Sequence, residues 1–336
     1  MPKLSQILFS SALVSGTLIA VSSSSWMMVW IGLEINLLSI IPLLSDSKSS
    51  YPSEAALKYF ITQAMASAIL LFSIIWTILM KGLEVFPPPL ITNLILSSSL
   101  FIKMGAAPFH AWFPEVMDGL SWNNCLVMLT WQKIAPMVII MYNPPVNLFM
   151  TIIIISSALI GGILGINQVS LRKILTYSSI NHIAWMLGSM LSSSSLWLIY
   201  FLTYSIINLN IILIFKKLQI FYMSQLTKIF DSTKEVKFLF AMNFLSLGGL
   251  PPFLGFYPKW VTINGMVSSN FLFTSVVLIV STMITLFFYL RVIMAPMLLD
   301  KKENNLPLSP QAEKKWLILS TNIVALASLI LCPLIF

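Results

Sequence analysis

The chain has 336 residues, of which 58% are hydrophobic and only 9% are charged, and its formal net charge is +8. A soluble domain of this size carries far more charge, so the composition excludes one. The mean hydropathy is +0.91, and apolar runs long enough to cross a bilayer recur along the whole chain. Because these runs are apolar on all sides rather than alternating, they favour transmembrane helices over a β-barrel.

Eleven apolar segments follow one another along the chain, and each is long enough to cross a bilayer. The connections between them are short, except for residues 218–235 and 297–313. This pattern predicts an all-α polytopic membrane protein with a single transmembrane domain, residues 1–336. The predicted helices cover approximately residues 5–22, 25–44, 53–80, 90–112, 120–142, 147–167, 172–191, 195–217, 236–265, 271–296 and 314–335.

A ten-residue pattern occurs in the fourth and in the ninth of these helices. Residues 105–114 read Gly-Ala-Ala-Pro-Phe-His-Ala-Trp-Phe-Pro, and residues 249–258 read Gly-Leu-Pro-Pro-Phe-Leu-Gly-Phe-Tyr-Pro. Glycine and proline interrupt helices, so we predict breaks near Gly105–Pro108 and Gly249–Pro252. The two copies lie five helices apart. Because five is an odd number, we predict that the second copy is inverted in the membrane. Paired breaks in inverted repeats are typical of secondary transporters.

Basic residues are concentrated on the side of the membrane that holds the N-terminus. The positive-inside rule assigns this side to the cytoplasm or the mitochondrial matrix, and an odd number of helices sends the C-terminus to the opposite side. The net charge is therefore explained by membrane topology, and we expect no nucleic-acid partner. The basic residues on the N-terminal side are Lys3, Lys48, Lys58, Arg172, Lys173, Lys216, Lys217, Lys228, Lys234, Lys237, Arg291, Lys301, Lys302, Lys314 and Lys315.

Several ionisable side chains lie inside the predicted helices, where a charge costs at least about 2.5–3.5 kcal/mol. Glu34 has no basic residue one helical turn away, so its partner must come from another helix. Lys103 precedes the first break, where the negative end of the helix dipole stabilises an ammonium group. Lys133 lies beside Pro136, which has no N–H for the carbonyl of Gln132.

Two histidines and the lysine after the second break complete the candidate set. His182 is central in the seventh helix, and His110 lies inside the first break. An imidazole suits proton transfer near neutral pH, whereas two histidines this far apart make a poor metal site. The alternatives are structural ion pairs, hydrogen-bonded packing histidines and, for the last lysine, an amine that extends to the membrane surface. We predict proton-relay roles for Glu34, Lys103, Lys133, Lys259, His182 and His110.

The motifs around these residues resemble those of a known family, the antiporter-like subunit 2 of mitochondrial NADH:ubiquinone oxidoreductase, respiratory complex I. The similarity extends over essentially the whole chain and is weakest at 297–313 and in the C-terminal helix. The motifs are W-x-G-L-E-x-N at residues 30–36, K-x-G-A-A-P-F-H-x-W-F-P at 103–114, W-Q-K-x-A-P at 131–136, S-S-x-N-H at 178–182 and G-G-L-P-P-F-x-G-F-x-P-K-W at 248–260.

The resemblance implies a fold of two inverted five-helix repeats, about 5–142 and 147–296, followed by a C-terminal helix at about 314–335. It also implies a polar line in which Glu34 with Lys103 is followed by Lys133 and then by Lys259, with His110 and His182 at associated positions. Aligning the two breaks pairs Lys259 with Glu115, and Lys103 with Leu247. The two lysines are therefore not equivalent by the internal repeat.

The resemblance further implies a subunit that translocates protons across the mitochondrial inner membrane. Its partners are other membrane-arm and accessory subunits and membrane lipid, including cardiolipin. No cofactor is expected in this chain, and NADH, FMN, iron–sulfur clusters and ubiquinone belong to the parent complex. The two cysteines of the chain, Cys125 and Cys332, are too few to hold an iron–sulfur cluster. Two alternatives stay open: a stand-alone cation/proton antiporter, and a structural spacer whose buried charges only transmit coupling.

Overall fold

The chain folds into α-helices in a computed structural model that describes residues 4–45, 49–81, 89–229 and 234–298. Within these ranges the only β-structure is an isolated bridge between Ser170 and Tyr222. Among the described residues, seven helices are long and apolar enough to span a membrane, and Leu90–Met104 and Lys237–Gly248 are shorter apolar helices. The predicted all-α membrane fold is confirmed. The predicted C-terminal helix at 314–335 lies outside the described residues.

The helices fall into two compact units, one ending at Ile153 and the other beginning at Ile154. In chain order they are α1 (Leu4–Ser22), α2 (Trp26–Leu44), α3 (Ser50–Lys81), α4 (Leu90–Met104), α5 (Trp112–Gly119), α6 (Trp122–Leu129), α7 (Trp131–Tyr142), α8 (Asn147–Ile166), α9 (Leu171–Ser192), α10 (Ser194–Leu218), α11 (Met223–Ile229), α12 (Lys234–Gly248), α13 (Phe256–Ser268) and α14 (Leu272–Leu298).

The distribution of polar and apolar side chains is that of a membrane bundle. Large apolar side chains cover the outer surface, where Leu4 is 83% exposed and Leu79 is 76% exposed. Ionisable and amide side chains lie inside, among them Lys133 and Asn181. In water this arrangement would be strongly unfavourable, because it exposes apolar area and buries charge. In a bilayer the apolar exterior faces lipid, and the polar groups are free to interact with one another.

The two predicted breaks are present and share one backbone conformation. Helix α4 ends at Met104 and is followed by Gly105 with φ +73°; α12 ends at Gly248 and is followed by Gly249 with φ +76°. A left-handed φ strains residues that have a Cβ atom, which explains the glycine at both positions. Each break also contains a cis X-Pro bond, at Pro108 and at Pro252. The chain resumes a helix at α5 and at α13.

A third interruption was not predicted. The segment expected as one helix at 120–142 divides at Thr130, where α6 ends and α7 begins. The carbonyl of Leu126 accepts both the Thr130 N–H over 3.0 Å and the Thr130 hydroxyl over 2.7 Å, and hydroxyl bonds of this kind often bend helices. Pro136, by contrast, lies inside α7 without ending it. Lys133 is therefore in the first turn of α7 and not in the middle of a continuous helix.

Candidate functional site

Glu34 and Lys103 lie near each other on α2 and α4. Lys103 is only 7% exposed and occupies the last turn of α4, at the negative end of the helix dipole. The two side chains interact electrostatically, yet no ion pair of 4.0 Å or less joins them. One carboxylate oxygen of Glu34, Oε2, is buried and accepts no hydrogen bond. The partner predicted to come from another helix is thus Lys103, acting across a gap rather than in direct contact.

A small polar cavity of ≈ 10 Å³ lies beside Lys103, with room for about a single water molecule. Its polar wall is formed by Asn36, Tyr59, Gln63 and Gln132. The Gln132 amide nitrogen donates to the side-chain oxygen of Asn36 over 2.8 Å, and the Tyr59 hydroxyl donates to the Gln132 oxygen over 3.4 Å. None of these four residues was predicted as a site residue. The available signal was their polarity within otherwise apolar helices.

Lys133 is held by an aromatic side chain that follows the first break. It is 1% exposed, and its amine lies 5.7 Å from the centroid of the Phe113 ring. Phe113 belongs to the first turn of α5 and packs against the side of Gly105 where a Cβ atom would stand. A cation over an aromatic face is stabilised by the ring quadrupole. The first break and the third interruption therefore meet at this lysine.

Lys259 turns back into the second break. It is 7% exposed, and its amine donates hydrogen bonds of 3.0 Å to the carbonyl of Leu247 and 2.9 Å to that of Gly248. These are terminal carbonyls of α12, which have no helical donor because the helix ends there. The amine also lies 5.8 Å from the centroid of the Trp185 ring. In this conformation the amine is directed toward the end of α12 within the bundle.

His182 shares a hydrogen bond of 2.9 Å between its Nδ1 atom and the hydroxyl of Tyr200. The ring of Tyr204 is 5.0 Å away, centroid to centroid. A second cavity of ≈ 10 Å³ is lined by these three residues together with Leu247 and Pro258. Leu247, whose carbonyl accepts a hydrogen bond from Lys259, lines this cavity, whereas Lys259 itself is not among the lining residues.

His110 lies in the first break, where its half-buried ring hydrogen-bonds to the backbone of Pro108. It is not among the residues that line the cavity beside Lys103. The six predicted residues are therefore divided as follows. Glu34, Lys103, His110 and Lys133 belong to the unit that ends at Ile153, and His182 and Lys259 belong to the unit that begins at Ile154.

The chain matches a known family over most of its length. The family model described as NADH:quinone oxidoreductase/Mrp antiporter, transmembrane region, matches residues 23–285. The chain belongs to this family. The matched range of the NADH:quinone oxidoreductase/Mrp antiporter family contains all six predicted site residues, both breaks and the interruption at Thr130.

Individual members of the family are similar in sequence or in fold. The NADH-ubiquinone oxidoreductase chain 2 of Anopheles gambiae is 44% identical over 100% of this chain and 99% of that protein. A chain of respiratory complex I from Thermus thermophilus has a TM-score of 0.88 at 22% identity, covering 100% of this chain and 80% of its own length. A chain of the Mrp complex from Dietzia sp. has a TM-score of 0.79 at 16% identity, with 97% and 75% covered. The two structures share the fold of the family.

Proposed function

We propose that the chain is a core membrane-arm subunit of respiratory NADH:ubiquinone oxidoreductase that translocates protons across the mitochondrial inner membrane. NADH oxidation and ubiquinone reduction take place elsewhere in that complex and drive the translocation. The observation that carries the proposal is that three lysines, Lys103, Lys133 and Lys259, are at most 7% exposed in an apolar bundle and each lies next to a helix interruption. The 44% identity over the full chain to an NADH-ubiquinone oxidoreductase chain 2 supports it.

Helix interruptions make proton exchange by a buried lysine feasible. At an interruption the backbone offers polar groups, and small cavities beside Lys103 and beside His182 have room for about one water molecule each. An amine in such a place can hold a proton in one state and release it in another. Moving one charge against 100 mV costs about 2.3 kcal/mol, so modest changes in local charge suffice to drive a transfer.

Glu34 acts on Lys103 through its field in this mechanism. Because a gap separates the two charged groups, a change in the charge of Glu34 alters the proton affinity of Lys103 without breaking a hydrogen bond between them. Lys133 and Lys259 then accept and release protons in turn, and His182 exchanges protons at the cavity that it shares with Leu247. His110 serves the hydrated part of the first break.

The redox groups of the complex belong to partner subunits. Among the described residues there is no group of three or more His, Cys, Asp or Glu side chains that could hold a metal ion. The sequence holds two cysteines, which do not supply the four ligands of an iron–sulfur cluster. The partners of the apolar outer surface are the neighbouring membrane-arm and accessory subunits and lipid, including cardiolipin. The N-terminus faces the matrix, and the C-terminus faces the intermembrane space.

Replacement of Lys133 tests the proposal. The assembled complex carrying Lys133→Ala or Lys133→Met is reconstituted in vesicles, and NADH oxidation and proton uptake are recorded together. We expect assembly to be kept and proton pumping to be largely lost, whereas Lys216→Ala, an exposed lysine at the end of α10, has no effect. Normal pumping by the Lys133 variants contradicts the proposal and supports a structural spacer. Ion exchange by the isolated chain contradicts it in favour of a stand-alone antiporter.

A further inference from the structure

A part-buried amide connects the helix of Glu34 to the helix of Lys133. The side chain of Gln132, in the first turn of α7, donates to Asn36 on α2 over 2.8 Å. Asn36 lies two residues after Glu34, and Gln132 directly precedes Lys133. The same amide accepts a hydrogen bond from the hydroxyl of Tyr59 on α3 over 3.4 Å. Both polar ends of Gln132 are thus bonded, each to a different helix.

The bond between Gln132 and Asn36 lies at the start of α7, directly after the interruption at Thr130. The interruption at Thr130 lies between α6 and the first turn of α7, which carries Lys133. Asn36 and Tyr59 are buried, so the loss of their bonds to Gln132 carries a desolvation cost. The three side chains also line the cavity beside Lys103. The amide of Gln132 therefore fixes the start of α7 against α2 at the wall of that cavity.

We propose that Gln132 is a positioning residue that couples the Glu34–Lys103 interaction to Lys133. The inference rests on the proposed function. Two hydrogen bonds hold the first turn of α7, so that the amine of Lys133 stays over the Phe113 ring while the cavity beside Lys103 keeps its polar wall. When the bond to Asn36 is lost, both lysines are still present, but Lys133 is no longer held in a fixed position relative to Lys103. A change of charge at Lys103 then has a weaker effect on Lys133.

A double-mutant cycle in the assembled complex tests the coupling. Asn36→Leu, Gln132→Leu and the double variant are compared by the number of protons pumped per NADH oxidised in vesicles. We expect each single variant to lower this ratio about tenfold and the double variant to be no worse than either, because all three lack the same bond. Losses that multiply in the double variant overturn the proposal.

Exchanging the two side chains gives a rescue experiment. Asn36→Gln combined with Gln132→Asn keeps the total length of the two side chains, whereas either change alone makes the pair too long or too short. We expect the exchanged pair to pump within about twofold of the unmodified complex, with each single change well below it. This variant also decides the case in which the leucine variants fail to assemble. Recovery supports the coupling, and failure of the exchanged pair overturns it.

A matched control is available at the other end of α7. There the Asn143 amide donates to the side-chain oxygen of Asn93 on α4 over 2.6 Å. Asn143→Leu breaks a part-buried amide–amide bond of the same kind in the same unit, and we expect an unchanged pumping ratio. An equal loss in Asn143→Leu and in Gln132→Leu overturns the proposal, because it assigns the effect to general packing. Normal pumping by Lys133→Ala contradicts the proposed function itself, which the Gln132 variants alone do not.

Discussion

The amine of Lys259 donates a hydrogen bond of 3.0 Å to the carbonyl of Leu247. Leu247 is the residue that aligns with Lys103 when the two breaks are superposed in sequence. In the first break the corresponding carbonyl, that of Lys103, accepts instead from the amide of Gln63 over 3.5 Å. The carbonyl near the end of the helix that precedes the break therefore accepts a hydrogen bond from a cation in the second break and from a neutral amide in the first.

Lys259→Met removes the donor to two buried carbonyls. We expect a loss of stability of roughly 1.5–3 kcal/mol, the usual contribution of a hydrogen bond to a charged group, and a loss of proton pumping. The thermal stability of the purified complex and NADH-driven proton uptake in vesicles measure the two effects. Lys58→Met is the matched control, because Lys58 is exposed and its ion pairs with Glu54 and Glu115 lie at the surface. A control as damaging as Lys259→Met contradicts the assignment.

Gly249→Ala should displace the side chain of Lys259, because the added Cβ atom would stand too close to it. A Cβ atom at this position would stand 2.7 Å from Cδ of Lys259, and alanine is strained at φ +76°. We expect a destabilisation of about 1–2 kcal/mol from the backbone alone, together with reduced pumping. Gly162→Ala provides the comparison, since its Cβ would meet no heavy atom closer than 3.5 Å and its helix gains from alanine. Differential scanning calorimetry of both variants distinguishes them, and equal melting temperatures argue against the expected strain.

Glu34→Gln removes the charge that acts on Lys103 while keeping the shape of the side chain. We expect proton pumping to fall about tenfold, equivalent to about 1.4 kcal/mol, because Lys103 loses its electrostatic partner. Glu54→Gln makes the same chemical change at the exposed ion pair with Lys58 and should leave pumping intact. Stopped-flow measurement of proton uptake after NADH addition compares the two. Unchanged uptake in Glu34→Gln is the contradicting result.

Tyr200→Phe removes the hydroxyl that bonds to His182. We expect a several-fold slower turnover with normal assembly, because the imidazole loses the group that fixes its orientation at the cavity. The exposed Tyr222 gives the control variant Tyr222→Phe, for which no change is expected. Steady-state NADH oxidation by both variants tests the difference. A fully active Tyr200→Phe assigns His182 to packing rather than to proton transfer.

The sequence predicted those parts of the fold that depend on local chemistry. Both breaks were found because glycine and proline mark them, and the buried lysines were found because charge is rare in apolar helices. The interruption at Thr130 was missed, because threonine is ordinary in helices and does not mark a break by itself. The bond from Gln132 to Asn36 joins residues 96 positions apart, which no local pattern indicates.

The sequence identified the charged side chains but could not predict their distances and orientations. Glu34 was expected to have a partner on another helix; its electrostatic interaction with Lys103, and the gap between the two groups, depend on how α2 and α4 pack. For Lys259 the sequence left two orientations open, and the choice depends on the carbonyls that the end of α12 exposes. The proton-relay roles of these residues and of His110 and His182 stay predictions until the variants are measured.

The hydrogen bonds of Lys259 have a consequence for how the chain enters the membrane during synthesis. Their acceptors are carbonyls only 11 and 12 residues earlier in the chain. The amine of Lys259 can therefore form these hydrogen bonds as soon as α12 and α13 have been inserted. The amine of Lys103 depends on polar walls from α2, α3 and α7, and the last of these is translated after it. The polar surroundings of Lys103 are therefore complete only after α7 has been synthesised.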